Sequence, residues 1–279
     1  MDMDKNVDAV SAEKKYETLL ANLRGLKRVL IAFSGGVDSS LLLFAAKQAL
    51  GGDNVLAVTE RSGVLPQRDL RDADAFCKQF GVQHRYFDFD ELGVPGYEDN
   101  PPDRCYICKK SLFTNLLRLA AAENAGLCEG SNLDDLGDYR PGLKALKELN
   151  VASPLREAGL TKAEIRFLSQ KLSLPTWNKP SFACLASRFA YGEKITAKKL
   201  RAVDEAEEFL ASRGFKQFRV RVHGDLARVE VPPEQLSAAV AEPLRSEIYQ
   251  KLKSCGFTYV ALDLLGYRTG SMNEVLKTK

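Results

Sequence analysis

An apolar run leads directly into a glycine-rich turn and then into a helical pattern, and this order constrains the fold more than any other feature. The run is RVLIAF (28–33), the turn is SGGVDSS (34–40), and the pattern is SLLLFAAKQAL (40–50). A buried strand that enters a helix through such a turn is typical of a βαβ unit. Two further β-rich runs, NVLAVTE and VQHRYFDF, alternate with helical patterns. The first half therefore predicts an α/β fold with a doubly wound parallel sheet.

A change of sequence character after Gly192 predicts a second, smaller unit. A charged helical pattern covers about residues 196–213. KQFRVRVHG (216–224) and LARVEVP (226–232) then alternate like two strands of a hairpin, and a single helix at about 234–255 leads into a last strand. This order indicates a smaller α+β C-terminal domain. We predict domains at residues 1–190 and 191–279.

The composition is that of a globular protein without a strong attraction to polyanions. Hydrophobic residues make up 45% of the 279 residues and the net charge is only +3, so we do not expect a nucleic-acid partner. No apolar run approaches the roughly 20 residues that span a membrane, and the N-terminal segment lacks an apolar signal core. Six cysteines are too sparse for a disulfide scaffold. We expect a cytoplasmic protein with reduced thiols and no membrane partner.

The turn SGGVDSS has the features of an anion-binding loop. Its two glycines let backbone N–H groups approach a phosphate, and the helix N-terminus with its serine hydroxyls adds donors. The loop lacks the lysine of a Walker-type NTPase. An ordinary serine-capped turn is the alternative, but it does not explain the ordered Ser-Gly-Gly-x-Asp-Ser pattern after an apolar strand. The residues expected to bind phosphate are Ser34, Gly35, Gly36, Asp38, Ser39 and Ser40.

At these residues the chain resembles the ATP pyrophosphatases, a superfamily that includes GMP synthetase, argininosuccinate synthetase and tRNA-thiolating enzymes. Its SGGVDSS looks like their PP-loop. The resemblance implies an adenine nucleotide alpha hydrolase-like fold and an enzyme that splits ATP between its α- and β-phosphates and passes AMP to a substrate oxygen. Asp38 would help to hold Mg²⁺, because hard oxygen ligands suit that ion. The EGSN segment (129–132), with Gly130, would lie near the nucleotide, since ligands of such sheets bind beyond the carboxyl ends of the strands.

Nitrogen and sulfur are both open as the nucleophile after adenylation. No glutaminase segment accompanies the loop within the 279 residues, so an ammonia route has no visible supply. Cys184, in SFACLASRFAYG, is the candidate, and Arg188 four residues later would favour its thiolate. The alternative is a buried, inert cysteine. We prefer that alternative for Cys77, Cys128 and Cys255.

Four segments resemble one PP-loop family closely: NKPSFACLASRFAYG, DYRPGLKA, FRVRVHGDLARVEVP and LDLLGYRTG. That family is the LarE sulfur transferases, which serve biosynthesis of the nickel-pincer nucleotide of lactate racemase. The resemblance covers nearly the whole chain. It implies a homohexameric enzyme that adenylates the carboxylates of pyridinium-3,5-biscarboxylic acid mononucleotide and converts them to thiocarboxylates. In one branch the cysteine that matches Cys184 gives up its sulfur and becomes dehydroalanine.

The segment PDRCYICKK departs from that pattern, because it adds Cys105 and Cys108 in a predicted loop. With Cys184 they make three thiolates, one short of a closed zinc site, and neither His84 nor His223 has a ligand-like spacing. A redox pair of Cys105 and Cys108 is another alternative. Three cysteines suit a [4Fe–4S] cluster whose fourth iron stays open to hydrosulfide, an arrangement known in cluster-dependent tRNA thiolases and a second LarE branch. We expect ATP, Mg²⁺ and this cluster as cofactors, with an external sulfide donor.

Four arginines are candidate contacts for the substrate phosphate. Arg219 and Arg221 share one face of a predicted strand, and a polar face turned to water is the alternative. The planar fork of arginine matches a phosphate. The LarE resemblance places the substrate phosphate near this face, with Arg188 and Arg268 as further contacts.

Acidic side chains supply a candidate site for a divalent cation. Glu230 is the first of them, and the others are Asp134, Asp135 and Asp138. A solvated acidic loop is the alternative.

Two rival functions use similar motifs. A tRNA thiolase would need a basic RNA-binding platform, and the sequence has neither zinc-ribbon cysteines nor a strong basic excess. A nucleotide-binding scaffold would carry structural cysteines and turn over no ATP. We predict the small-molecule sulfur transferase.

Overall fold

The fold is known from a computed structural model that describes residues 7–137, 141–180, 183–268 and 270–274. Its internal contacts define two compact units. The first unit comprises Met1–Ser62, Arg68–Phe89 and Cys105–Ser181, and the second comprises Gly63–Gln67, Asp90–Arg104 and Phe182–Lys279. The second unit takes in two segments from the first half, so a single boundary along the sequence does not describe it. The domains 1–190 and 191–279 stay a prediction.

A four-stranded parallel sheet forms the centre of the first unit. Its strands are β1 (Val29–Ala32), β2 (Val55–Arg61), β3 (Gln83–Asp88) and β4 (Gly126–Cys128). They lie in the order β3-β2-β1-β4, with every pair parallel. The chain order therefore reverses beside β1, and ligands of such sheets bind at that switch point. The predicted parallel α/β architecture is confirmed.

Helices cover both faces of this sheet. They are α1 (Ala9–Arg24), α2 (Val37–Leu50), α3 (Gln67–Phe80), α4 (Arg104–Ala122), α5 (Pro141–Glu148), α6 (Pro154–Glu157) and α7 (Lys162–Lys171). Successive residues of a strand face opposite sides, so Val29 and Ile31 pack into a core with α1, α2 and α3. Leu30 packs into a second core with α4. This two-sided burial explains why β1 reads as a continuous apolar run.

Helix α4 starts earlier than the sequence predicts. The apolar pattern indicated a helix from Lys109, but the helix begins at Arg104, so Cys105 and Cys108 lie in its first two turns rather than in a loop. The loop assignment was wrong because the first residues of α4, RCYIC, group their hydrophobic residues side by side and do not show a regular helical repeat. Asp103 directly before the helix, after Pro101 and Pro102, is typical of a helix start.

A three-stranded sheet forms the centre of the second unit. β5 (Arg219–His223) and β6 (Leu226–Glu230) make the predicted antiparallel hairpin, and β7 (Tyr259–Leu262) lies parallel to β6. The helices of this unit are α8 (Ala197–Ser212), α9 (Leu236–Val240) and α10 (Leu244–Ser254). The single helix predicted at about 234–255 is wrong, because Pro243 has no N–H to continue a helix and separates α9 from α10. Within the described part of the chain, no helix is long and apolar enough to cross a membrane.

Candidate nucleotide and sulfur sites

The phosphate loop joins β1 to α2 and is organised by its own serines. The hydroxyl oxygens of Ser34 and Ser39 lie 3.1 Å apart, and Ser39 Oγ donates to the carbonyl oxygen of Gly36 at 3.3 Å. Gly35 adopts a φ of 67°, and a Cβ there would lie 3.3 Å from Cβ of Ala73 on α3. Glycine is therefore required both for the backbone conformation and for the close approach.

The N-terminus of α2 is open to an anion. Gly36 is its N-cap and provides no side-chain hydrogen bond. The first N–H groups of a helix have no intrahelical partner, and together with the helix dipole they favour a bound phosphate. The loop therefore has the local geometry that its sequence predicts.

Ser40 differs from the other loop residues. Its side chain is fully buried, its hydroxyl has no hydrogen-bond partner among the described residues, and its N–H donates to Gly36 O at 3.0 Å. The predicted role of Ser40 as a phosphate donor is therefore not supported, because one helical turn carries this residue away from the loop and into the core.

Asp38 is held by two side chains that sequence reasoning missed. Asn132 Nδ2 donates to Asp38 Oδ1 at 3.1 Å, and Lys162 Nζ forms an ion pair with Asp38 Oδ2. Lys162 is the first residue of α7, whose start is set by a capping box of Thr161 and Glu164. The capping box TKAE is visible in the sequence, but its proximity to Asp38 is not. A cationic group thus lies beside the carboxylate at the start of α2.

The EGSN segment after β4 packs against the phosphate loop. A Cβ on Gly130 would lie only 3.1 Å from the backbone nitrogen of Ser39. Glu129 is buried and accepts hydrogen bonds from Ser131 N at 3.0 Å and from Ser153 Oγ at 2.5 Å. These contacts fix the segment at the carboxyl end of the sheet, beside the first turn of α2.

Lys179 braces the phosphate loop. Its ammonium donates to the carbonyl oxygen of Gly35 at 3.2 Å and pairs with Asp72 at 2.8 Å and Asp69 at 3.1 Å. Both aspartates lie on α3. The contacts attach the loop to α3 from a position 144 residues further along the chain.

The six cysteines are present as thiols and differ in exposure. Cys105 is exposed and Cys108 half-buried, one helical turn apart on α4. Cys77 and Cys128 are buried, and burial raises the pKa of each thiol to about 12. That result agrees with the interpretation of these two as inert packing residues. Burial also raises the pKa of Cys255.

Cys184 belongs to the second unit and is half-buried. It is the N-cap of a 3-10 turn, Leu185–Arg188. Arg188 is fully buried, pairs with Glu207 at 2.8 Å, and donates to the carbonyl oxygens of Cys184, at 3.0 Å, and Ala183. The predicted phosphate contact of Arg188 is therefore not supported. Its guanidinium instead organises the backbone on the N-terminal side of the turn.

Arg219 and Arg221 are also buried, so the alternative of a polar face turned to water is wrong. Arg221 donates to Glu230 Oε2 through Nε at 3.0 Å and Nη2 at 2.8 Å. Arg219 lies over the ring of Tyr267 at 5.0 Å. Burial, and then the positive charge of Arg188, lower the pKa of Arg219 to about 10. The positive charges of Arg188 and Arg219 would stabilise an anion placed beside Arg219.

Glu230, the first candidate for a divalent cation, lies among hydrogen-bond donors. It is fully buried and accepts hydrogen bonds from Arg221, from Arg228 at 3.1 Å and from Ser271 at 3.1 Å. These donors already engage both oxygens of the carboxylate. They do not favour a divalent cation at Glu230, which stays a prediction. Arg268, by contrast, is 34% exposed and pairs with Asp263 at 3.3 Å.

In the described part of the acidic loop, the aspartates accept hydrogen bonds from nearby backbone N–H groups. Asp134 Oδ2 accepts from the backbone of Lys162 at 2.8 Å, and Asp135 Oδ2 accepts from the backbone of Asn132 at 3.0 Å. Asp138 lies outside the described residues. Across the described ranges, no three His, Cys, Asp or Glu side chains form a group that could hold a metal ion.

The fold and the loop together define the class. A parallel sheet that reverses its order beside β1, and an uncapped helix start behind Ser-Gly-Gly-Val-Asp-Ser at that point, are the features of a PP-loop ATP pyrophosphatase. Comparison with known families agrees, since the NAD synthase family matches residues 13–95.

Comparisons with individual proteins extend over nearly the whole chain. The protein slr1717 of Synechocystis sp. is 44% identical over 95% of this chain and 98% of its own length. The pyridinium-3,5-bisthiocarboxylic acid mononucleotide synthase of Lactiplantibacillus plantarum is 39% identical over 94% of this chain and 95% of its own length. The protein MJ0830 of Methanocaldococcus jannaschii is 30% identical over 87% of this chain and 92% of its own length. The chain therefore belongs to the family of the pyridinium-3,5-bisthiocarboxylic acid mononucleotide synthase, which is the LarE family.

Proposed function

We propose that the protein is an ATP-dependent sulfur transferase that converts the carboxylates of pyridinium-3,5-biscarboxylic acid mononucleotide into thiocarboxylates, with AMP and pyrophosphate as the other products. The observation that carries the proposal is an open PP-loop in a chain that matches a bisthiocarboxylic acid mononucleotide synthase over 94% of its length. A carboxylate oxygen is a poor leaving group, so its replacement by sulfur requires prior activation.

The nucleotide step uses the residues around the start of α2. A substrate carboxylate oxygen attacks the α-phosphorus, and the bond from that phosphorus to the bridging oxygen breaks. Pyrophosphate then leaves into the loop, where the N–H groups of α2 and the hydroxyl of Ser34 stabilise its charge. The hydroxyl of Ser39 would join them by turning its proton away from Gly36 O. Lys162 adds a positive charge beside the same helix start.

Mg²⁺ fits this site through Asp38, whose carboxylate is 24% exposed and offers hard oxygen ligands. When bound, the ion would supply further charge neutralisation on the phosphates. The ion pair with Lys162 orients the carboxylate at the start of α2.

An activity assay tests the nucleotide step. The protein is incubated with ATP, Mg²⁺ and the biscarboxylate, and AMP and thiocarboxylates are measured by chromatography and mass spectrometry. We expect Asp38→Asn to lower AMP formation on the order of 10²-fold, because a neutral amide is a weaker ligand for Mg²⁺ and no longer forms the ion pair with Lys162. Asp53→Asn, a change at an exposed carboxylate of the same unit, is the control. No AMP from the parent protein would contradict the proposed function.

For the sulfur step we propose that Cys105, Cys108 and Cys184 hold a [4Fe–4S] cluster. The donor chemistry fits, because all three are thiols and thiolates hold cluster irons. Two of them are spaced one turn apart at the exposed start of α4. When bound, the cluster would supply an open iron for hydrosulfide and would leave the protein thiols unconsumed.

The other sulfur source is Cys184 itself. Its thiolate would attack the carbonyl carbon of the adenylate and release AMP, which leaves a thioester. Loss of the Cα proton with cleavage of the Cβ–S bond would then give the thiocarboxylate and dehydroalanine at position 184. The chain would be consumed after one transfer.

Metal analysis separates the two routes. We expect about four iron and four sulfide per chain after anaerobic purification, and a loss of both in Cys105→Ala. Cys255→Ala is the matched control. A protein without iron whose Cys184 peptide loses the mass of H₂S during turnover would contradict the cluster and establish the sacrificial route. Zinc in place of iron in the purified protein would contradict the cluster, and with it the open iron proposed to bind hydrosulfide.

We assign the substrate phosphate to the surroundings of Arg219 and Arg268. Arg219 has a pKa lowered by burial and by Arg188, so a bound anion would stabilise it, and Arg268 is partly exposed. The assignments to Arg221 and Arg188 are weaker, since carboxylates already pair with both. Homohexameric assembly, the cytoplasmic location and the sulfide donor stay predictions.

A further inference from the structure

The position of the Cys184 sulfur depends on a short turn that begins at the next residue. The 3-10 turn Leu185–Arg188 has Cys184 as its N-cap. Two backbone hydrogen bonds close it, from Ser187 N to Cys184 O at 3.0 Å and from Phe189 N to Ala186 O at 3.2 Å. An isolated turn of this length is not stable in water, so contacts from outside it decide where the sulfur lies.

Asn100 and Arg104 supply such contacts. Arg104 Nη1 donates to the carbonyl oxygen of Ala186 at 3.0 Å and to Asn100 Oδ1. Asn100 Nδ2 donates to the carbonyl oxygens of Ala190 at 2.7 Å and Phe189 at 3.4 Å. The two side chains therefore hold the turn at its second residue and again directly after its end.

Both side chains are buried in the second unit. Arg104 is 5% exposed and Asn100 is not exposed at all. A guanidinium is buried at low cost only if hydrogen bonds replace its water, and a connected buried network specifies one arrangement. Asn100 has a φ of 53°, a left-handed conformation that asparagine adopts more readily than most residues. The network is therefore already set before any ligand binds.

We propose that Asn100 and Arg104 are positioning residues for the sulfur of Cys184. They act on sulfur transfer rather than on adenylation, because the contacts described above lie within the second unit and the phosphate loop belongs to the first. Arg104 is also the first residue of α4, directly before Cys105, so its side chain attaches the start of that helix to the Cys184 turn. The inference rests on the proposed function, since it requires that sulfur transfer depends on Cys184.

Two variants test the proposal with the full-length chain. Asn100→Gly keeps a residue that accepts the left-handed backbone but removes the amide. Arg104→Lys keeps the positive charge but lacks the planar fork that reaches both partners. Lys194→Met is the matched control, because Lys194 is a 62% exposed lysine of the same unit that pairs with Glu98 at 3.2 Å.

Three readouts are compared: pyrophosphate released, which reports adenylation, thiocarboxylate formed per pyrophosphate, and the rate at which iodoacetamide alkylates Cys184. We expect pyrophosphate release within about twofold of the parent in the first turnover and thiocarboxylate per pyrophosphate about tenfold lower, because a displacement of about 1 Å can cost a reaction on the order of 10²-fold. The alkylation rate of Cys184 changes in both variants relative to Cys255 as the internal reference. Lys194→Met behaves as the parent.

A folded Asn100→Gly protein with the parental yield of thiocarboxylate per pyrophosphate would overturn the proposal. An equal fall in pyrophosphate release and sulfur transfer would also overturn it, since a merely structural role moves both together. Circular dichroism identifies variants that fail to fold. If Asn100→Gly is one of them, Arg104→Lys is compared with Arg104→Met, because a positioning role predicts that lysine keeps more sulfur transfer than methionine. If the parent releases neither pyrophosphate nor AMP, the proposed function has failed instead.

Discussion

Single residues around the start of α2 show that the PP-loop is completed by side chains distant in sequence. Asp38 pairs with Lys162, 124 residues away, and accepts a hydrogen bond from Asn132. Gly130 lies so close to the backbone of Ser39 that a Cβ there would be 3.1 Å from its nitrogen, and the neighbouring backbone would have to shift to admit it. The loop motif alone therefore specifies the anion site, while its neighbours determine the charge and the space around it.

Gly130 offers a steric test of this site. We expect Gly130→Ala to raise the KM for ATP about tenfold, because its Cβ would lie 3.1 Å from Ser39 N and would displace the helix start by a few tenths of an ångström. Overpacking of this kind costs about 1 to 3 kcal/mol. Gly52→Ala is the control, since the nearest atom to its Cβ is 3.6 Å away. An unchanged KM in Gly130→Ala would show that the two segments separate freely.

Elements of the first unit meet the phosphate loop from two sides. The EGSN segment and α7 approach it at the carboxyl end of the sheet, while α3 contacts Gly35 and is joined to the loop by Lys179. These approaches follow from the parallel topology, which places the ends of all four strands at one edge. The topology alone does not predict the contact between Lys179 and the loop.

Removal of the Lys179 ammonium tests the role of α3. We expect Lys179→Met to raise the KM for ATP several-fold and to lower the free energy of unfolding by about 1 to 3 kcal/mol, because the mostly buried Asp69 loses its ion-pair partner. Lys171→Met, at an exposed pair with Glu13, should cost under about 1 kcal/mol.

A double variant separates the two effects. Lys179→Met with Asp69→Asn removes the unpaired charge and should recover part of the lost stability, yet the KM should stay high, because the contact to Gly35 is still absent. Full recovery of both quantities would show that Lys179 acts only as a counter-ion. Chemical denaturation and initial-rate kinetics provide the two measurements.

The molecule as a whole combines two compact units with different chemistry. The first carries the nucleotide loop with Cys105 and Cys108, and the second carries Cys184 and the buried arginines. In the second unit, guanidinium groups pair with Glu207 and Glu230 inside the fold. Loss of one partner from such a buried pair is strongly destabilising, by about 3 to 5 kcal/mol. These pairs belong to the framework around the Cys184 turn.

Histidine protonation predicts how global stability depends on pH. His84 is largely buried, and its Nε2 lies 2.8 Å from Thr59 Oγ1, which donates to Phe33 O. Burial lowers the pKa of His84 below its ordinary value of 6.5, and Asp74 opposes that shift. The unfolded chain therefore binds the proton first as the pH falls. Stability is fully present above about pH 6.5 and declines below it, toward the folded pKa.

Denaturation at about pH 7.5 and about pH 5.5 measures this effect. We expect His84→Gln to lose part of the decline between the two conditions. His223→Gln should lose another part, because burial and then Arg228 lower the pKa of His223 in the same direction. An undiminished decline in His84→Gln would show that Asp74 compensates fully for the burial of the ring.

The sequence by itself determined the features that depend on neighbouring residues. The strand before SGGVDSS, the alternation of β1 to β3 with helices and the β5–β6 hairpin follow from local periodicity and glycine placement. The family is also readable from continuous segments such as RVRVHGDLARVE. Boundaries without an apolar repeat, such as the start of α4, were not predictable in this way.

Only the tertiary structure decided which side chains meet. It paired Asp38 with Lys162, buried Ser40, and surrounded Glu230 with donors from β5, β6 and Ser271. The physical reason is that the free energy of a polar side chain depends on its burial and its partners. Lys162 lies 124 residues from Asp38 and Ser271 lies 41 residues from Glu230, and a local pattern carries no information about partners at such separations.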